Sequence, residues 1–173
     1  VDLGPLQPQL PQRLHTRDKT IDCATPQPLA DLQRLRDEFA ATGDGLLRLI
    51  GRRHVRSNNS WMHNYRRLVK GKDRCTLLMH PRDMHSRDIR DGAEVTLSSR
   101  AGAVTVKVEA SDDMMPGVVS LPHGFGHDRP GVRMQTAVRH AGVSCNDVTD
   151  ELALDVLSGN AAVNGVPVTV AMA

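Results

Sequence analysis

The sequence predicts a mainly β domain with short helices, folded as a barrel and preceded by an extended arm and one helix. Six short segments rich in Val, Leu, Ile and Thr follow residue 45, which is typical of strands. One amphipathic segment precedes them, and residues 1–27 contain prolines without sustained periodicity. A chain of 173 residues is long enough to bury one core of this kind.

The first 44 residues are predicted to form an arm and a linker helix. The proline-containing residues 1–27 are expected to be extended and loosely held. Helical spacing predicts a helix over residues 28–40, ended by the turn-forming residues 42–45. Four apolar residues carry that spacing: Leu29, Leu32, Leu35 and Phe39. The domain boundary is therefore placed after residue 44, with the barrel domain over residues 45–173.

Six short strands indicate a barrel rather than an open sheet. The predicted strands are Leu46–Ile50, Cys75–Met79, Glu94–Ser98, Ala103–Ala110, Val118–Leu121 and Val166–Ala171. A hairpin is predicted at 98–102, because Gly102 can adopt the positive φ that such a turn needs. Short helices are predicted from about Asp83 to Gly92 and around 147–157, the latter ended by Gly159. His80 and Asp83, at a helix start, are expected to be mainly structural.

Composition and charge exclude several classes of function. Hydrophobic residues make up 39% and charged residues 24%, which fits a soluble globular chain. No apolar run approaches the ~20 residues that a membrane span needs. The net charge of +2 is too small for a whole-surface nucleic-acid field, although charge can be concentrated locally. We therefore expect neither a membrane nor a nucleic acid as partner.

The cysteines predict no metal site. Cys23, Cys75 and Cys145 lie far apart and form no CxxC pair, so they cannot build a zinc or iron–sulfur site in the usual way. We expect reduced, structural thiols. Their odd count and the absence of a signal segment predict a cytoplasmic location.

A polar stretch from Arg52 to Asn64 follows the first predicted strand. It is rich in Arg, Asn and His and includes Trp61, although only 2% of the chain is aromatic. Arginine pairs with phosphate oxygens in a fork, and Asn amides match the donor–acceptor edge of a purine or pterin. The stretch therefore suits a ligand with phosphates and a heterocycle. The same residues also fit a surface loop with self-capping Asn and Ser turns.

Two further segments carry polar residues that packing does not explain. In Pro116–His127 a strand runs into a loop whose glycines allow the backbone to approach a flat ring. His123 and His127 are four residues apart, but the glycines between them oppose the helix that would align them, so a metal site is disfavoured. In Ser144–Thr149, backbone N–H groups suit an oxygen-rich ligand, and capping by Asn146 or Asp147 explains the segment equally well.

In their order along the chain, these segments resemble the C-terminal dinucleotide-binding domain of the formate dehydrogenase and dimethyl sulfoxide reductase family of molybdenum and tungsten enzymes. The resemblance covers roughly residues 45–171. Its most specific part is the run Leu49–Arg53 through Ser57–Asn64. Supporting segments are His80–Asp83, Asp91–Gly92, Pro116–Gly124, Asn146–Asp147 and Asn164–Val168.

The resemblance implies a six-stranded double-psi β-barrel, of the aspartate decarboxylase-like kind, that binds molybdopterin guanine dinucleotide. It implies that the loop after the first strand supplies the phosphate, pterin and dithiolene-side contacts. His123 and Gly124 would form a second wall of the cofactor site, and Asn146 would form a third. The residues of that first loop are Arg52, Arg53, Ser57, Asn58, Asn59, His63 and Asn64.

The same resemblance implies that this chain is not a complete enzyme. In the family, the metal-ligating Cys, selenocysteine or Ser, and any iron–sulfur cluster, lie in upstream domains. We therefore expect no metal ligand and no catalytic residue in this chain. Molybdenum or tungsten would be held in the parent enzyme, and the partner would be the remainder of its large subunit.

Two other functions compete with this one. A double-psi barrel can serve as a protein-interaction or substrate-recognition module without any cofactor, and such a module would not require the polar loop 52–64. A freestanding metal hydrolase using His123, His127 and a carboxylate is disfavoured, because no metal-ligand spacing is convincing. Convergence of loops 52–64, 122–127 and 144–148 at one mouth of the barrel would favour the cofactor.

Overall fold

The computed structural model describes residues 1–40 and 45–173. The chain forms two compact units, Val1–Thr42 and Gly43–Ala173. In the first unit, turns and bends lead into helix α1, Pro26–Ala40, which confirms the predicted helix. Its apolar stripe is exposed: Leu29, Leu32, Leu35 and Phe39. The predicted helix stop at residues 42–44, and with it the predicted domain boundary, lies outside the described residues.

The second unit is built on a closed barrel of six strands. The strands are β1 Leu47–Arg52, β2 Thr76–Met79, β3 Glu94–Ser98, β4 Ala103–Ala110, β5 Val118–Pro122 and β6 Val166–Met172. Around the barrel their order is β1, β5, β2, β4, β3, β6. Strands β1 and β5 pair in parallel, as do β2 and β4, and all other neighbours are antiparallel. The six predicted strands and the predicted barrel class are confirmed, with strand ends shifted by at most two residues.

Alternating side chains fill the interior of the barrel. Along β4, Val104, Val106 and Val108 are buried, whereas Thr105 and Lys107 between them are exposed. This period of two is the geometric consequence of the pleat, which turns successive side chains to opposite faces. The other strands add residues that are at most 6% exposed: Leu47, Leu49, Leu77, Met79, Val95, Leu97, Val119, Leu121, Val166, Val168 and Val170.

The remaining helices of the second unit are short. They are α2 Arg66–Val69, α3 Pro81–His85, α4 Gln135–Val138 and a 3₁₀ turn at Cys145–Asp147. The helix predicted from Asp83 to Gly92 is therefore too long, because the chain enters a left-handed conformation at Asp88, with φ 54°. Within the two described ranges, no helix has the length and apolar character needed to cross a membrane.

The helix predicted around 147–157 is wrong. Beyond the 3₁₀ turn the chain continues in turns, with one isolated bridge between Leu154 and Ala161. Two aspartates explain the difference. Asp150 Oδ1 accepts the Leu152 N–H at 2.8 Å, and Asp155 Oδ2 accepts the Ser158 N–H at 3.0 Å. Such local side-chain bonds to the backbone compete with helix formation.

The predicted hairpin between β3 and β4 is present, but glycine is needed there for a different reason. Ser99 N–H donates to the Gly102 carbonyl at 2.8 Å, which closes the turn. Gly102 does not adopt a positive φ. A Cβ at this position would lie 2.6 Å from the carbonyl oxygen of Asp147. The glycine therefore provides space for the 3₁₀ segment to pack on the hairpin.

His80 and Asp83 have the structural roles expected of them. His80 Nδ1 accepts the Arg82 N–H at 3.0 Å and so caps α3. Asp83 Oδ2 accepts the Gly117 N–H at 2.7 Å, which ties α3 to the segment before β5.

Replacement of Leu97 by Ala tests the barrel core. Leu97 is fully buried, so we expect a loss of about 2–5 kcal/mol in the free energy of unfolding, from lost transfer energy and the cavity left behind. Urea denaturation of the chain measures it. Leu152, which is 72% exposed, is the matched control, and Leu152→Ala should change stability by less than about 0.5 kcal/mol. Equal losses would contradict the assignment of the core.

Candidate functional site at the mouth of the barrel

One end of the barrel collects most of the loops that carry polar residues. β1 and β5 are parallel, with Arg52 opposite Pro122, so both strands finish at this end. β2 is antiparallel to β5 and begins there, as does β6, which is antiparallel to β1. The β3–β4 hairpin lies there too, because β4 is parallel to β2. We call this end the mouth, and its loops are residues 53–75, 99–102 and 123–165.

The loop from β1 to β2 concentrates positive charge at the mouth. Between residues 45 and 72 the chain has eight Lys or Arg residues and no Asp or Glu. Six of these cationic side chains are exposed: Arg53, Arg56, Arg66, Arg67, Lys70 and Lys72. A cluster of one sign raises the local concentration of anions far above what the net charge of +2 suggests.

The polar loop 52–64 folds as a series of tight turns. Ser57 N–H donates to the His54 carbonyl at 2.9 Å, and Met62 N–H donates to the Ser57 carbonyl at 3.1 Å. Asn58 and Asn59 have φ values of 42° and 62°, a conformation that Asn tolerates better than most residues. The guanidinium of Arg53 donates to Asn59 Oδ1, so these two exposed side chains act together.

Arg52 is placed differently from its neighbour Arg53. Its Nη1 donates to the Ser120 carbonyl, and its Nη2 donates to the Thr76 carbonyl at 2.7 Å. Burial lowers the pKa of Arg52, while the charge of Glu109 opposes this effect. Arg52 thus joins the ends of β1, β5 and β2 through hydrogen bonds to carbonyls. In this structure Arg53, and not Arg52, presents a guanidinium to the solvent.

The loop after β5 contacts the polar loop directly. His123 N–H donates to the Arg52 carbonyl at 2.9 Å, which continues the β1–β5 pairing beyond the strands. Gly124 has a φ of +96°, and a Cβ there would lie 2.2 Å from the carbonyl oxygen of Asn59. The two loops therefore touch backbone to backbone at Asn59 and Gly124. His123 is partly exposed beside this contact.

Three of the predicted site residues are buried in the polar loop or bond to a neighbouring helix. His63 is 2% exposed and Ser57 is 6% exposed, so both lie inside the polar loop. Asn64 is exposed, and its Oδ1 accepts the N–H groups of Thr136 and Ala137 at 2.9 and 3.2 Å. Asn64 therefore satisfies backbone donors at the start of α4, where helical N–H groups need a partner.

Asn146 lies at the mouth and is linked to the loops after β1 and β5 through other residues. It is exposed within the 3₁₀ turn, and its carbonyl accepts the Thr149 hydroxyl at 3.1 Å. The segment before it packs on the loop after β5, because a Cβ at Gly126 would lie 2.7 Å from Cβ of Ser144. The structure thus brings Asn59 and Gly124 together, and it links Asn146 to them through Gly126 and Ser144.

Several residues of the mouth are absent from the predicted set. Tyr65, Arg66, Arg67 and Lys70 line an open groove of about 650 Å³ with Asn64 and Thr136. Tyr65 is 65% exposed, and Trp61 nearby in sequence is 83% exposed. The signal that could have found them is the long run of cations without carboxylates, which continues past Asn64 to residue 72.

Replacement of Gly124 by Ala tests the contact between the two loops. The new Cβ meets the Asn59 carbonyl at 2.2 Å and the residue keeps a positive φ, so we expect a loss of about 3 kcal/mol in the free energy of unfolding.

The matched control is Gly131→Ala. Gly131 has a similar φ of +90°, but nothing that the structure describes lies within 4 Å of its Cβ position, so it should lose only about 1 kcal/mol. Urea denaturation of both variants compares them. If Gly124→Ala is no more destabilising than Gly131→Ala, the loops do not touch as described.

Comparisons with known proteins place the chain in a family. Residues 47–167 match the family model described as molydopterin dinucleotide binding domain. Among solved structures, acetylene hydratase from Pelobacter acetylenicus is similar, with a TM-score of 0.60 and 18% identity over 84% of this chain. At that identity the likeness shows the fold, and the chain covers 20% of that enzyme's chain. No curated protein matches the sequence. The family match covers well over half of the chain, which therefore belongs to the molybdopterin dinucleotide-binding domain family.

Proposed function

We propose that this chain binds molybdopterin guanine dinucleotide as the C-terminal domain of a formate dehydrogenase-like oxidoreductase that uses molybdenum or tungsten. It is not catalytic alone, and its partner is the remainder of the large subunit. The observation that carries the proposal is the contact between Asn59 and Gly124, which joins two polar loops at one cation-rich mouth. The guanine form of the cofactor and the formate dehydrogenase type are supported by the resemblance of the run Leu49–Asn64.

The charge of the mouth fits the phosphates of such a cofactor. Arg53, which bonds to Asn59, and Arg56 are exposed in the polar loop, and a guanidinium forms two parallel hydrogen bonds with a phosphate. Three carboxylates near the mouth are engaged by other groups. Glu109 pairs with Lys72 and Thr76, Asp147 with Arg129, and Asp150 with Arg100. The segment from Arg53 to Lys70 contains cations but no Asp or Glu of its own.

The remaining polar groups fit a flat heterocycle. Asn58 and Asn59 are exposed, and an amide offers a donor and an acceptor side by side, as the edge of a pterin or guanine requires. The Asn59 carbonyl occupies the space that a side chain at position 124 would fill, which holds Asn59 against the second loop. His123, partly exposed beside this contact, is proposed as a further contact to the ring.

The metal of the cofactor is proposed to be held outside this chain. Among the described residues there is no group of three or more His, Cys, Asp or Glu side chains placed to hold a metal ion. When bound, the cofactor supplies the metal centre at which electrons are transferred. The residues of this chain bind its phosphates and orient its rings. The cysteines of the chain are free thiols, two of them buried, which supports the proposal of a reducing, cytoplasmic location.

Alanine variants of Arg53 and Asn59 in the intact enzyme test the proposal. Each variant loses one partner of the exposed Arg53–Asn59 pair, and we expect cofactor retention after gel filtration to fall about tenfold, because a charge-assisted bond to phosphate is worth about 1.5–3 kcal/mol. Acid-released guanine nucleotide, measured by mass spectrometry, and molybdenum or tungsten, measured by elemental analysis, report retention.

Arg90→Ala is the matched control, since Arg90 is an exposed arginine on the β2–β3 connection, at the opposite end of the barrel. It should retain both nucleotide and metal. Full loading of the Arg53 and Asn59 variants would overturn the proposal and favour a barrel that recognises a protein or substrate without a cofactor. Release of a nucleotide other than guanine would overturn the guanine assignment alone.

A further inference from the structure

Two buried histidines connect the loops of the mouth from the inside. His63, in the loop after β1, is 2% exposed, and His127, in the loop after β5, is 6% exposed. Nδ1 of His63 lies 2.7 Å from Nε2 of His127, which is hydrogen-bonding distance. A specific bond thus joins the two loops at a place where apolar side chains could also fill the space.

Aromatic packing holds the two rings in place. The ring of Phe125 lies tilted on that of His63, with centroids 4.3 Å apart, and His63 meets His127 edge to face at 5.0 Å. Phe125 in turn packs closely on Gly142, where a Cβ would lie 2.8 Å from its ring. Phe125 directly follows Gly124, so the ring cluster and the Asn59–Gly124 contact share one stretch of backbone.

We propose that His63 and His127 form a neutral hydrogen-bonded pair that positions the two loops of the mouth for the cofactor. They are positioning residues: both are buried, and they act on the cofactor through the backbone of Asn59 and Gly124. That the loops hold the cofactor rests on the proposed function. That the two histidines form a pair rests on the geometry of their rings.

The bond requires one ring nitrogen that carries a hydrogen and one that does not. A first added proton leaves the bond intact but places a charge on a buried ring. A second added proton removes the acceptor and sets two N–H groups against each other. The pair is therefore most stable when both rings are neutral.

The surroundings also disfavour protonation. Burial lowers the pKa of His63, the neighbouring His127 lowers it further, and the Gly124 backbone opposes this. Burial lowers the pKa of His127 as well, against the opposing charge of Asp128.

A cavity of about 20 Å³ next to His63 is lined by further titratable and charged groups, which are Arg56, Lys72, Asp73, Arg74 and His140. Three of these are fixed cations and one is a carboxylate. The thiol of Cys75, which also packs on Gly142, is uncharged at neutral pH because burial raises its pKa to about 11.

The direction of the pH dependence follows from these shifts. A histidine in the unfolded chain takes up a proton near its ordinary pKa of 6.5, whereas the folded pair takes it up only at lower pH. The unfolded state therefore binds more protons as the pH falls, and stability decreases. The stability is fully present above about pH 6.5 and is lost as the pH falls below that value. Each unit by which a folded pKa lies below 6.5 changes the folding equilibrium by up to about tenfold.

Three variants separate the pair from ordinary packing. His127→Leu removes the partner of His63 Nδ1. His127→Gln keeps an amide that can bond to the same nitrogen but does not titrate. His85→Gln, at an exposed residue of α3, is the control. Urea denaturation of the chain at pH 7.5 and pH 5.5 gives the pH dependence, and hydrogen exchange of the Asn59 and Gly124 segment reports loop order without any cofactor.

We expect the folding equilibrium constant of wild type and of His85→Gln to decrease between pH 7.5 and pH 5.5. That of His127→Gln should decrease about tenfold less. At pH 7.5, His127→Leu should exchange faster at the Asn59 and Gly124 segment, and His127→Gln should stay close to wild type. In the intact enzyme, guanine nucleotide retention should follow the same order.

An unchanged pH dependence in His127→Gln, or normal exchange in His127→Leu, would overturn the inference. If His127→Leu does not fold, the pH dependence of His127→Gln alone decides. Failure of the proposed function is distinguishable. In that case nucleotide retention is unaffected by Arg53→Ala as well, while the stability and exchange measurements still report on the pair.

Discussion

Strands β1 and β5 lie side by side and parallel, with Arg52 opposite Pro122, and the rest of the mouth depends on this pairing. β5 lies between β1 and β2, and β1 lies between β5 and β6, so neither strand can reach its successor by a hairpin and each continues into a long connection. The polar loop after β1 and the glycine-containing loop after β5 therefore start next to each other. The bond from His123 N–H to the Arg52 carbonyl extends the pairing into the loops.

Arg52 and Arg53 are adjacent in the chain but have different partners and different exposure to solvent. Arg52 bonds to the carbonyls of Ser120 and Thr76 and closes the barrel end, whereas Arg53 leaves the sheet and bonds to Asn59 at the surface. Carbonyl partners satisfy the hydrogen bonds of Arg52, while its charge interacts with the carboxylate of Glu109. The exposed cations lie in the loop that follows β1, which suits an anionic ligand.

The Phe, Tyr and Trp rings of the second unit are divided between the inside and the outside of the mouth. Phe125 packs against the histidine pair, whereas Trp61 and Tyr65 are 83% and 65% exposed. Exposed rings beside cations offer stacking surfaces to a heterocycle. The buried cluster of Phe125, His63 and His127 has a different effect, because it couples the loops that carry those surfaces. Order at the mouth is therefore tied to the protonation of two histidines.

The sequence by itself determined the strands, the barrel class and the family, because alternation of Val and Leu with polar residues is a local signal and the run Leu49–Asn64 is specific. Local signals failed at residues 147–157, where Asp150 and Asp155 bond to the backbone, and at Gly102, where the need for glycine comes from Asp147, 45 residues away in the chain. Tertiary structure alone decided which polar residues face inward. Arg52, Ser57 and His63 are predicted ligand contacts. In the fold, Arg52 bonds to carbonyls, Ser57 lies in the interior and His63 bonds to His127. The reason is that burial and partner choice depend on strand pairing between distant segments, which composition and spacing do not encode.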